Sequence, residues 1–151
     1  MQAENLLLYA EDILDYGVMG ILILMSIVTL WLFIERMMFY SSVRIDDYNH
    51  RDTLEMDLTD NIGVISTIGS NAPYVGLLGT VLGIMLTFYS MGGSGAVDAK
   101  EIMVGLALAL KATAMGLVVA MPAIVFYTIL LRKVEKILTK YDVANDSKGT
   151  I

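Results

Sequence analysis

Few residues of this 151-residue chain could do chemistry, and those that could lie in surroundings as apolar as a bilayer interior. Thr80 and Thr87 sit in the uncharged run 61–97, and Lys111 and Thr113 sit in 102–131, which Lys111 alone interrupts. Neither run contains Asp, Glu or His. Polar groups in such runs are costly and are functional candidates by default. Threonine hydroxyls order water and exchange hydrogen bonds, but they do not hold a travelling proton near neutral pH. A proton relay through these runs would therefore need its carboxylate from another chain. Thr80 and Thr87 are seven residues apart, so on a helix they share a face. Lys111 and Thr113 are two apart, about 200° round a helix, and face nearly opposite ways. Two readings stand for Lys111. Burial can lower a lysine pKa by several units, which suits ion movement. Its long stem can equally snorkel to the membrane edge or pair with a neighbouring subunit.

The rest of the inventory excludes whole classes of activity. Cysteine is absent, which removes disulfides, thiolate nucleophiles and Cys-based metal centres. His50 is the sole histidine and lies in an acidic polar stretch, and no HExxH, paired aspartates or Ser-His combination occurs in the apolar runs. The expectation is a protein that is not an enzyme and has no metal or cofactor. A net charge of −6, with no basic cluster long enough to track a nucleic-acid backbone, argues against nucleic-acid binding.

The elements that would position these residues follow from composition. The chain is 56% hydrophobic and 17% charged, whereas a soluble domain has roughly 25% charged residues. The charge is missing in blocks: 16–34, 61–97 and 102–131. Each is long enough to cross a bilayer as a helix, which takes roughly 20 residues. None shows the alternation of a barrel strand, so the predicted fold class is an all-α membrane protein with three transmembrane helices. The expected organisation is an interfacial helix or solvated lead-in over 1–15, a first span over 16–40, and an acidic connection over 41–62. A second span over 63–90, a Gly-rich turn over 91–101, a third span over 102–131 and a basic tail over 132–151 complete it. Lys and Arg decide orientation, and eight of the ten fall in the connection, the tail or, as Arg36, at the end of the first span next to the connection. Those two segments are expected in the cytoplasm, with the N-terminus and the 91–101 turn outside and the second and third helices extending inward. The lead-in has acids but no Lys or Arg, unlike a cleavable signal peptide. Six acids between 45 and 60 read as a solvated hairpin.

Helices in lipid associate through small residues that let backbones approach. Gly76, Gly79 and Gly83 in the second span, and Ala112 and Gly116 in the third, offer that spacing. Pro73 and Pro122 each remove a backbone donor and can bend their helices.

The strings Asn71-Ala-Pro-Tyr-Val-Gly-Leu-Leu-Gly-Thr-Val-Leu-Gly-Ile-Met85 and Ala109-Leu-Lys-Ala-Thr-Ala-Met-Gly-Leu-Val-Val-Ala-Met-Pro-Ala123 closely resemble the two signature helices of the ExbB/TolQ family, distantly related to MotA. Trp31-Leu-Phe-Ile-Glu-Arg36 resembles that family's exit from its first span. The resemblance covers most of 20–132 and implies an inner-membrane motor. In it, a pentameric ring of such subunits surrounds the helices of an ExbD-like dimer, and proton flow energises a TonB-like protein that drives outer-membrane uptake. It implies that Thr80 and Thr113 face the pore near an aspartate of the one-span partner. Two departures stand out. Where many relatives carry a glutamate in the third span this chain has Leu108, with Lys111 at a variable position, and the connection is short. A TolQ-like role in envelope constriction shares the same motifs, and a non-conducting helical scaffold would account for the Gly and Ala packing. The short connection favours ExbB.

Overall fold

The computed structural model of the chain describes residues 2–92 and 99–149, with side chains described at 9, 12–92, 99–100 and 102–147. Four α-helices follow in order: α1 Gln2–Ser42, α2 Arg51–Thr59, α3 Ile62–Gly92 and α4 Ala99–Gly149, with one 3₁₀ turn at Ile45–Asp47. Among the described residues there is no strand. Stretches of α1, α3 and α4 are long and apolar enough to cross a membrane. The all-α, three-span architecture expected from the runs is present, with α3 and α4 as the long second and third helices. Most of the Gly-rich turn expected at 91–101 lies outside the described residues.

The helices run further than the charge pattern implied. Residues 2–15 do not form a separate element: α1 passes from them into the first span as one helix. No Pro or Gly occurs before Gly17 to stop it. At the other end α4 continues through the basic tail to Gly149. Pro73 and Pro122 lie inside α3 and α4 without ending either helix.

The acidic connection departs from the solvated hairpin expected of it. Its Asp and Glu side chains are mostly exposed, but Leu54 and Leu58, one turn apart on α2, are fully buried. They belong to the same core as Ile62, Val134, Leu138 and Tyr141. An acidic run can thus carry a narrow apolar face that only i, i+4 spacing reveals. Two α1 side chains hold the end of α2: Arg36 donates to the Asp57 carbonyl at 3.1 Å, and the Tyr40 hydroxyl donates to the Leu58 carbonyl at 2.7 Å. These carbonyls belong to the last turn of α2, where a helix lacks its own donors. Arg36 is also paired with Glu35 at 2.5 Å and lies over the Phe39 ring. Tyr48 donates to Asp57 at 2.9 Å, which raises the phenol pKa because ionisation would give up that hydrogen bond and set two anions side by side. Asn61 takes a left-handed φ of 60° to turn the chain into α3, a conformation Asn tolerates better than most residues.

Three contacts set the helices at matching depths. Val18 of α1 fills the notch at Gly79, its Cγ1 3.0 Å from where a Cβ would stand. The Ile124 Cγ1 of α4 lies 3.0 Å from the equivalent point on Gly69. Phe33 stacks on Phe126 with ring centroids 4.2 Å apart. Counting along the helices at about 1.5 Å per residue from these contacts places Glu35, Ile62 and Leu131 at one level. The three apolar runs therefore end together, at one level, although the sequence separates those ends widely.

Candidate functional site

Small residues bring α3 and α4 together along a seam. A Cβ on Gly76 would stand 2.6 Å from the Ala112 carbonyl oxygen, and one on Gly116 would stand 2.7 Å from that of Ala72. Both distances are below contact, so neither position accepts a side chain without the backbones separating. Gly79 meets the Ala112 Cβ at 2.8 Å and Gly83 meets the Ala109 Cβ at 3.1 Å. All five packing residues expected from spacing, Gly76, Gly79, Gly83, Ala112 and Gly116, thus lie in this seam. Gly105 extends it: Thr87 packs into its notch, with Oγ1 2.5 Å from the Cβ position. Sequence reading missed Gly105, although Gly105 and Ala109 have the same four-residue spacing as Ala112 and Gly116.

Close approach of the backbones puts two hydroxyls together. Thr80 is buried, with 8% of its surface exposed, and Thr113 is half-buried. Their Oγ1 atoms share a short hydrogen bond. Thr80 Oγ1 also reaches the Ala109 carbonyl at 3.0 Å and the Gly76 carbonyl at 3.3 Å, while Thr113 Oγ1 reaches the Gly76 carbonyl at 3.4 Å. Each hydroxyl has one hydrogen, so the pair can be satisfied in either direction. Thr113 can donate to Thr80 while Thr80 donates to Ala109, or Thr80 can donate to Thr113 while Thr113 donates to Gly76. Such a pair can reorient beside a proton carrier without leaving a donor unmatched. Thr87, the other member of the expected hydroxyl face, is buried and returns its hydrogen to the Gly83 carbonyl at 2.9 Å. That face is turned to α4.

Lys111 points away from the pair. Its Nζ lies 3.3 Å from Asp15 Oδ2 of α1, with both side chains about half exposed. Its partner in the structure is thus a carboxylate of its own chain. Asp15 lies outside the apolar runs and no motif marks it; the packing of α1 against α3 and α4 brings it to Lys111. Among the described residues no group of three or more His, Asp and Glu could hold a metal ion.

Residues 32–143, which include the seam, the hydroxyl pair and the α2 strap, match the MotA/TolQ/ExbB proton channel family. The chain belongs to this family. It is 54% identical to the biopolymer transport protein ExbB of Aquifex aeolicus over 129 residues, 85% of this chain and 87% of that protein. It is 53% identical to the protein of the same name from Helicobacter pylori over 131 residues, 87% of this chain and 90% of that one. The Pseudomonas putida ExbB is 44% identical over 78 residues, covering 52% of this chain but 24% of the longer relative. Membership in the MotA/TolQ/ExbB family and the three apolar helices make this a multi-pass membrane protein of the ExbB type.

Proposed function

We propose that this chain is an ExbB-like subunit of an inner-membrane proton-channel motor that uses the proton motive force to energise TonB-dependent outer-membrane transport. The observation that carries the reading is the Thr80–Thr113 hydroxyl pair, set in a seam whose two apolar runs contain no carboxylate. The pair shapes the proton path and orders water in it, while an aspartate of an ExbD-like one-span partner takes and releases the proton. Copies of this chain form a ring around the partner helices, a pentamer as the family resemblance implies. The basic residues orient the N-terminus to the periplasm and the C-terminus to the cytoplasm.

Proton flux into vesicles containing this chain and its one-span partner tests the reading. Thr80→Val or Thr113→Val is expected to lower flux at least about tenfold, equivalent to about 1.4 kcal/mol on the barrier, while the assembled complex survives size-exclusion chromatography. Unchanged flux in both variants would sink the pore role. No flux from the unaltered complex under an imposed gradient would favour a non-conducting scaffold. Deletion that impairs outer-membrane integrity but spares iron uptake would reassign the chain to a TolQ-like role.

A further inference from the structure

Past the level of Leu131, α4 carries its charges in separate stripes. Leu130, Val134, Leu138 and Tyr141 form the buried face. Glu135, Asp142 and Asp146 lie about 100° round the helix from it, and Arg132, Lys133, Lys136 and Lys140 lie about 145° round the other way. The acidic stripe has a partner within the chain: Asp142 accepts from Arg51 Nε of α2 at 3.4 Å. The basic stripe differs. Arg132, Lys136 and Lys140 are exposed and Lys133 is half-buried, and among the described residues none of the four makes a salt bridge. Even Glu135, which lies within a turn of Arg132 and Lys136 on the same helix, is paired with neither of them.

Depth says what they meet. Arg132, Lys133 and Lys136 lie within about 8 Å of the plane where all three apolar runs end, in or at the edge of a headgroup layer about 5–8 Å thick. Lys140 lies about 14 Å from that plane, beyond the layer. The geometry points to a binding surface for anionic phospholipid headgroups, formed by Arg132, Lys133 and Lys136 on the outward face of α4 in the leaflet nearest α2. The guanidinium of Arg132 can take two phosphate oxygens at once, whereas the two ammonium groups act as point charges. Clustered cations next to a membrane-spanning helix each add about fivefold to affinity for an anionic surface. The surface needs only the depth of α4 in the bilayer, and it stands whether or not the chain conducts protons.

Lipid retention by the purified full chain in neutral detergent, read by native mass spectrometry, tests this. With equal phosphatidylglycerol and phosphatidylcholine added, the unaltered chain is expected to retain the anionic lipid preferentially. The triple variant Arg132→Gln, Lys133→Gln, Lys136→Gln should lose that preference by at least about tenfold, each single change should weaken it, and Lys140→Gln should leave it intact. The single variants keep the test open should the triple variant fail to fold. Equal retention of both lipids, loss on Lys140→Gln as large as on Lys136→Gln, or displacement of the lipid by millimolar inorganic phosphate would overturn the proposal.

Discussion

The α3–α4 seam and the α2 strap hold the same helices by opposite means. In the seam the residues in contact are the smallest available, Gly76, Gly79, Gly83, Ala112 and Gly116, and backbone meets backbone. In the strap they are large: Leu54 and Leu58 are fully buried, and Arg36 and Tyr40 reach across to carbonyls of α2. Lipid is as apolar as leucine, so burying a large side chain between helices there gains little, and association depends on close packing and polar contacts. Beyond the bilayer, water makes burial of each leucine favourable by roughly 2 kcal/mol. The contrast is between these two contacts rather than between whole layers, since Leu22 and Ile65 are also fully buried within the spans.

The sharpest way to break that contrast is to add volume to the seam. Gly76→Val should destabilise the folded chain by about 3 kcal/mol or more, because its Cβ alone would stand 2.6 Å from the Ala112 oxygen. It should also disrupt the hydroxyl pair. Loss of cooperative unfolding in detergent, together with loss of flux, would show this; a variant as stable as the parent would mean that the backbones can separate freely. In the strap the effect reverses, and removing volume is what harms. Leu58→Ala should cost about 2–4 kcal/mol, the range for emptying a buried aliphatic site, read as a lower unfolding temperature. A cost under about 1 kcal/mol would show that α2 is held by its hydrogen bonds rather than by its apolar face.

The smallest effect falls on the contact that is neither seam nor strap. Asp15 and Lys111 are each about half exposed, so Asp15→Asn and Lys111→Gln should each cost under about 1 kcal/mol. Exchanging the two residues should recover most of what Asp15→Lys or Lys111→Asp alone loses, since opposite charges in contact couple. Additive losses in the exchanged protein would mean that the pair contributes nothing as a pair.

Much of the membrane part was legible because lipid imposes strict rules. Runs without charge mark spans, small residues at four-residue spacing mark contacts, and two threonine-bearing strings carry the family resemblance. The strap was not legible in the same way. Six acids between 45 and 60 dominate that segment, and the apolar pair Leu54 and Leu58 matters only once α4 lies against it. Nor could charge alone tell where helices end, since α1 begins well before its apolar run and α4 outlasts its own by eighteen residues. Asp15 escaped notice for a related reason: its significance depends on the relative depth of α1 and α4, which no periodicity within either helix encodes.

By itself the sequence determined that the chain crosses the membrane three times, that the second and third spans meet through glycine and alanine, and that these two spans contain no carboxylate. Those properties depend on residue type and spacing along one helix, where the bilayer penalises every error. Only the tertiary structure decided that Thr80 and Thr113 share a hydrogen bond, that Lys111 turns to Asp15, and that the ends of three distant runs form one plane. Each of these depends on the register between helices, which is set by side chains such as Val18 at Gly79 and Ile124 at Gly69. Register is a property of two surfaces fitted together, and a single strand of sequence holds only one of them at a time.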